Sequence, residues 1–150
     1  MKCAGTIFAT ITLAYASQLA GQECQPGSLG GAVHVSSIFD GNGYDFCVTQ
    51  ETVDDTPSWF EDDDYPPVSP RGAARSAKSE LAALVNHPED WTMNEVELIP
   101  AGRSDKWAYV VSFLGPATNP YGGAVPDLRI PVLMDGTAVT PHVSRIRGGS

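Results

Sequence analysis

The sequence has few basic residues, and this shortage limits the partners it can have. Nine lysines and arginines stand against 18 aspartates and glutamates, which gives a net charge of -9 at neutral pH. A field of that sign repels phosphate backbones, so nucleic acid is not an expected partner. Charged residues make up only 18% of the 150-residue chain and hydrophobic residues 42%, which is enough for one folded core and excludes global disorder.

Sequence patterns typical of catalysis or metal binding are also missing. No Gly-x-Ser-x-Gly elbow is present, and His34, His87 and His142 form neither a His-x-x-x-His nor a His-Glu-x-x-His pattern. A Ser-His-Asp site stays open, because such triads are assembled in space. We therefore assign no catalytic, cofactor-binding or metal-ligating residue and expect no cofactor.

Apolar runs of the roughly 20 residues that a membrane-spanning helix needs are absent. The amino terminus instead resembles an export signal, with positive Met1-Lys2, an uncharged stretch from Cys3 to Ala16, and the small-x-small site Ala14-Tyr15-Ala16. We expect residues 1–16 to be a cleaved signal peptide and the mature chain, from Ser17, to be secreted or periplasmic without a membrane span. The alternative is a buried amino-terminal helix or strand.

Cysteine is scarce, with three in the chain, and Cys3 would leave with the signal. Cys24 and Cys47 remain, and an even pair in an exported protein predicts a disulfide. Two isolated cysteines supply only half of a cysteine-rich metal site, and Gln22 and Glu23 interrupt a lipoprotein pattern at Cys24.

Residues 17–50 are expected to form a leader tied down by this disulfide, followed by a β-hairpin over residues 33–50. The turn signal is Asp40-Gly41-Asn42-Gly43, because Gly and Asn tolerate positive φ. Asp40, Asn42, Asp45 and Glu51 also superficially resemble a calcium loop. Asp45, however, stands where such a loop requires Gly, so a plain turn explains the same residues.

Residues 51–67 are dense in carboxylates and prolines, which predicts a mobile acidic linker. The aromatic residues Trp59, Phe60 and Tyr65 are the exception. They either pin the segment onto the domain or form an exposed recognition spot.

Residues 68–144 form the clearest unit. Ser69-Pro70 predicts a helix start, and Asn86-His87-Pro88 predicts its end. Apolar residues at helical spacing mark the buried face: Ala74, Ala77, Leu81, Leu84 and Val85.

Three strands are predicted after the helix, over Trp91–Ile99, Trp107–Leu114 and Leu128–Met134, with a short fourth around Val139. The first has a phase shift between Met93 and Val96 that indicates a bulge. The second should be central because it is apolar on both faces, with Trp107, Tyr109, Val111 and Phe113 packed against Leu81 and Leu84. Pro131 lacks an amide donor, which indicates that the third strand lies at an edge or is bulged there.

This order predicts an α+β fold, in which one helix packs on an antiparallel β-meander preceded by a β-hairpin. A tail follows over residues 145–150.

The chain resembles small exported bacterial proteins of unassigned function with PepSY and cystatin-like folds. The residues that carry the resemblance are Tyr65-Pro66-Pro67-Val68-Ser69-Pro70, the helix, Trp91, Trp107–Val111 and Leu133–Thr137. The resemblance covers roughly half the chain. PepSY-type domains are thought to modulate peptidases and cystatins inhibit them. The cystatin Gln-x-Val-x-Gly loop is absent here, so the inhibitory activity is not carried over, and the resemblance implies a fold class more than a function.

Two functional hypotheses follow. The first is an exported non-catalytic module that binds a protein or envelope component. The second is a small secreted hydrolase or a calcium-dependent protein. A binding module should expose an apolar or aromatic patch, with Trp59 and Phe60 as its expected place. An enzyme should bring a histidine, a carboxylate and a nucleophile into one pocket.

Overall fold

The computed structural model describes Cys24, residues 31–117 and residues 125–146. The expected signal peptide 1–16 lies outside the described residues, as do most of the leader and the last four residues of the tail. The structure pairs Cys24 with Cys47, with Cα atoms 5.6 Å apart, in agreement with the predicted disulfide.

The predicted hairpin is present and belongs to a three-stranded antiparallel sheet. Strand β1 (Val33–Phe39) pairs with β2 (Asn42–Val48), and β2 pairs in turn with β6 (His142–Arg145). Asp40 and Gly41 form the two-residue loop, both with positive φ (51° and 70°). That geometry matches a type I′ turn, whose twist suits the two strands. The pairing of β6 with the hairpin was not predicted.

The second sheet is the predicted meander. Its strands are β3 (Thr92–Pro100), β4 (Trp107–Leu114) and β5 (Asp127–Leu133), and all neighbours are antiparallel. Strand β4 is central, and the β3–β4 register shifts between Met93 and Glu95, as the sequence predicts. The expected fourth strand is reduced to one bridge between Val132 and Ala138.

The main helix, α2 (Pro70–Leu84), begins where the capping signal places it. The hydroxyl of Ser69 accepts a hydrogen bond from the amide of Gly72 at 3.1 Å. The predicted buried face is shifted by part of a turn. Its fully buried line is Ala73, Ala77 and Leu81, whereas Ala74, Leu84 and Val85 are half-buried.

One hydrophobic core joins the hairpin to the meander. Phe46 of β2, Leu81 of α2 and Ile130 of β5 are all fully buried members of it. Of the predicted central residues, Tyr109, Val111 and Phe113 are buried, but Trp107 is only half-buried. A short 3-10 helix (Pro88–Asp90) links α2 to β3, and the chain is thus a mixed α+β protein with two antiparallel sheets and one main helix.

The first half of the expected linker is folded, which corrects the sequence interpretation. Helix α1 (Gln50–Asp54) starts at Thr49, whose hydroxyl accepts from the amide of Thr52, and its Val53 is completely buried. Val53 is the aliphatic residue that anchors this stretch, and its burial helps to offset the entropy cost of ordering the backbone there. Among the residues the structure describes, no helix has the length and apolarity needed to cross a membrane.

Candidate functional site

The three histidines lie in different parts of the fold, and two of them contact a carboxylate. On the outer face of the hairpin sheet, His34 Nε2 lies 2.6 Å from Asp45 Oδ1, with both side chains mostly shielded from water. The strand pairing places Ser36 and His142 directly opposite Asp45, on either side of it. His87 is exposed and lies 3.1 Å from Glu89, whose pKa is lowered first by a hydrogen bond from its own backbone amide and then by His87.

His34 and Asp45 supply the histidine and the carboxylate of a hydrolytic triad, and no serine among the described residues completes it. His34, Ser36, Asp45 and Ser144 line a shallow groove of about 300 Å³. Within the described ranges, no serine hydroxyl is hydrogen-bonded to His34, so no general base is seen activating a nucleophile there.

The residues of the calcium alternative are dispersed among different roles. Asp40 occupies the hairpin turn, Asp45 pairs with His34, and Glu51 lies in the first turn of α1. In the part of the chain that the structure describes, no three His, Cys, Asp or Glu side chains are grouped so that they could hold a metal ion.

A groove between α2 and the meander, which we call the basic groove, is apolar inside and basic along its rim. Leu81, Trp91, Met93 and Phe113 supply the apolar surface of a cavity of about 240 Å³. Met93 remains 50% exposed, although it is a large hydrophobic side chain. The rim cations are Arg71, Arg75 and Lys78, on successive turns of α2.

These three cations have no carboxylate partner within the described part of the chain. Arg103 pairs with Asp54 and Arg129 with Glu97, but none of the rim cations forms an ion pair among the described residues. Like charges at this helical spacing repel one another and destabilise the helix. The protein thus concentrates unpaired positive charge beside an exposed apolar groove, on a chain whose net charge is -9.

The aromatic residues of the acidic segment (residues 51–67) are divided between the two expected arrangements, pinned onto the domain or exposed. Trp59 is pinned, because its amide donates to the main-chain oxygen of Asp105 at 2.9 Å and its carbonyl accepts from Trp107 Nε1 at 3.2 Å. Phe60 is 57% exposed and Tyr65 is 83% exposed. The pinned interpretation is therefore correct for Trp59 and wrong for Phe60 and Tyr65.

Around Trp59 the surface forms a third cavity, which we call the aromatic cleft. It measures about 450 Å³ and is lined by Trp59, Phe60, Glu61, Leu98, Ser104 and Trp107. The rings of Trp59 and Trp107 meet edge to face, with centroids 5.6 Å apart and planes at 68°. Trp59 and Phe60 therefore share one surface cleft, and of these two rings only that of Phe60 is largely exposed.

The loop before β4 holds the wall of this cleft. Asp105 Oδ2 accepts a hydrogen bond from the hydroxyl of Ser58 at 2.7 Å. This bond lowers the pKa of the Asp105 carboxyl; partial burial opposes the shift, and the charges of Lys106 and Arg103 contribute to it.

The basic groove was missed from the sequence, although its signal was available. Arg71, Arg75 and Lys78 recur at helical spacing with no acidic residue between them to form an intrahelical pair. The other wall consists of Trp91, just before β3, and Met93 of β3, and these residues meet the helix only in the tertiary fold. Comparison with known protein families, with characterised proteins and with solved structures finds no match for this chain.

Proposed function

We propose that the protein is an exported, non-catalytic binding module that takes an acidic peptide segment with one apolar anchor side chain into the groove between α2 and β3. The observation that carries this proposal is the row of unpaired cations, Arg71, Arg75 and Lys78, along an apolar groove that exposes Met93. An occupant with carboxylates and an apolar side chain would satisfy both features.

The groove is small, and its size favours a peptide anchor over a whole small molecule. Ligand pockets for drug-sized molecules usually enclose about 300–1,000 Å³, whereas this groove encloses about 240 Å³. A single Leu or Phe side chain of a partner would fill such a space, as anchor residues do at protein interfaces. The cations would then steer the acidic flanks and set the register.

Export and fold complete the proposal. The signal-like residues 1–16 and the Cys24–Cys47 pair support a secreted or periplasmic protein, with a protein or envelope component as the partner. The order of α2, β3, β4 and β5 is compatible with a PepSY or cystatin-like arrangement, which would place the module near peptidases. Nucleic acid is not part of the proposal because the net charge opposes it.

Fluorescence anisotropy with labelled peptides tests the proposal. The probe is the fluorescein-labelled peptide Asp-Glu-Leu-Phe-Glu-Asp. The control is the same labelled peptide with Asn and Gln in place of the acidic residues. We expect saturable binding of the acidic peptide only, weakened as salt is added. Arg75→Gln should weaken it by roughly two- to fivefold, the effect of one partly exposed ion pair.

Arg145→Gln is the matched control, because Arg145 is an exposed cation on β6 that does not line the groove. It should leave the affinity unchanged. Equal binding of the neutral peptide, or equal weakening by Arg145→Gln and Arg75→Gln, would contradict the proposal.

A further inference from the structure

The aromatic cleft offers a chemistry different from that of the basic groove. Its walls are the rings of Trp59, Phe60 and Trp107 with the side chain of Leu98, and its polar groups come from Glu61 and Ser104. The volume of about 450 Å³ falls in the range of small-molecule sites, about 300–1,000 Å³.

The indole N–H groups of the cleft are not available to a ligand. Trp107 Nε1 donates its hydrogen bond to the main-chain oxygen of Trp59. Trp59 Nε1 is buried from solvent and has no hydrogen-bond partner among the described residues, so it presents no solvent-accessible donor to a ligand. The cleft therefore presents ring surface without indole donors, which disfavours ligands that need hydrogen-bond donors, such as sugars and carboxylates.

Charge in and around the cleft is negative. Glu61 lines it, and the acidic residues Asp62, Asp63 and Asp64 follow directly in the chain. The two nearby cations in sequence are engaged elsewhere, since Lys106 Nζ donates to main-chain oxygens of the α1 region and Arg103 pairs with Asp54. A cation entering the cleft would meet no resident cation among its lining residues.

From these observations we propose that the aromatic cleft binds a small quaternary ammonium ligand, with choline as the representative probe. A trimethylammonium group carries positive charge without N–H donors, so aromatic ring faces and the charge of a carboxylate hold it without any hydrogen bond. Aromatic ring faces attract such cations through their quadrupole. The ring pair is already fixed before binding by the hydrogen bonds from Trp59 to Asp105 and from Trp107 to Trp59, which lowers the entropy cost of binding. This proposal does not depend on peptide binding in the basic groove.

Isothermal titration of the mature protein with choline chloride tests the inference. The matched ligand is the neutral isostere of choline in which carbon replaces the nitrogen, which has the same shape without the charge. Choline should bind saturably, and the isostere should bind roughly tenfold more weakly or not at all, since desolvated cation–π contacts are worth about 1–2 kcal/mol, a factor of ten for each 1.4 kcal/mol. Sodium chloride at equal ionic strength should not compete.

Two exposed positions allow variants that leave the fold intact, which circular dichroism verifies. Phe60→Ala should weaken choline binding by roughly two- to fivefold through loss of one ring, and Glu61→Gln by a similar factor through loss of the carboxylate. Asp62→Asn is the control, because Asp62 is an adjacent exposed acid that does not line the cleft. Equal binding of the isostere, absence of saturable binding, or an equal effect of Asp62→Asn and Glu61→Gln would overturn the inference.

Discussion

The ammonium group of Lys106 donates a hydrogen bond to the main-chain oxygen of Asp54, at 3.0 Å. It also donates to the main-chain oxygen of Thr56, and Lys106 as a whole is 8% exposed. Carbonyls at a helix end lack intrahelical partners and carry partial negative charge, which makes a buried cation acceptable there. These two hydrogen bonds tie the end of α1 to the loop before β4, so the acidic segment is held in place at its start.

Replacing this lysine should cost stability. Lys106→Met keeps the length of the side chain but leaves the two buried carbonyls unpaired, and we expect the free energy of unfolding to fall by about 2 kcal/mol. Urea unfolding measures it. Lys78→Met on the exposed side of α2 is the control and should change the value by less than about 0.5 kcal/mol. Similar losses in the two variants would show that the Lys106 contacts contribute nothing specific.

Sequence reasoning succeeded where one local signal decided the structure. The turn at Asp40-Gly41 follows from backbone freedom, and the start of α2 follows from a serine cap before proline. The central position of β4 follows from its two apolar faces, because only an inner strand can bury both.

The missed elements lack such a signal. Strand β6 (His142–Arg145) is exposed at every residue, so it has no alternation, and only its pairing with β2 defines it. Helix α1 is one turn long and depends on the burial of Val53, which the surrounding carboxylates obscure. Of the residues that line the aromatic cleft, the sequence analysis singled out Trp59 and Phe60, which are adjacent in the chain. Leu98 and Trp107 come from β3 and β4 and join them only in the tertiary fold.

Phe113 tests the packing between β4 and α2. The residue is 2% exposed and shares the lining of the basic groove with Leu81. Phe113→Ala should lower the free energy of unfolding by about 3–5 kcal/mol, from lost burial and the cavity that remains. Met93→Ala is the control on the same groove, and since Met93 is half exposed its loss should be well below that range. A loss under about 1 kcal/mol for Phe113→Ala would mean that β4 does not carry the core.

The Cys24–Cys47 bond should stabilise the mature protein mainly by restricting the unfolded chain. The two residues are 23 positions apart, and closing a loop of that size is worth about 3 kcal/mol. The double variant Cys24→Ala, Cys47→Ala should lose about that amount in guanidinium unfolding. Reductant should destabilise the natural protein and leave the double variant unchanged. Peptide mapping without reductant should recover the linked pair, and two freely alkylated thiols in exported protein would contradict it.

The hydrogen bond from Ser58 to Asp105 should make stability depend on pH in a defined window. The bond holds the pKa of the Asp105 carboxyl below its ordinary value of 3.8. A carboxyl with a lower pKa in the folded state stabilises the fold fully above the unfolded pKa, and the stabilisation is lost as pH falls through the folded pKa. Ser58→Ala should therefore be less stable than the natural protein at neutral pH, and the difference should shrink as pH falls below about 4. Urea unfolding over a pH series measures this difference. Ser104→Ala is the control, because Ser104 is an exposed serine next to Asp105, and its effect on stability should not depend on pH in this range. If the stability lost in Ser58→Ala stays constant as the pH falls below about 4, the Asp105 charge is not involved.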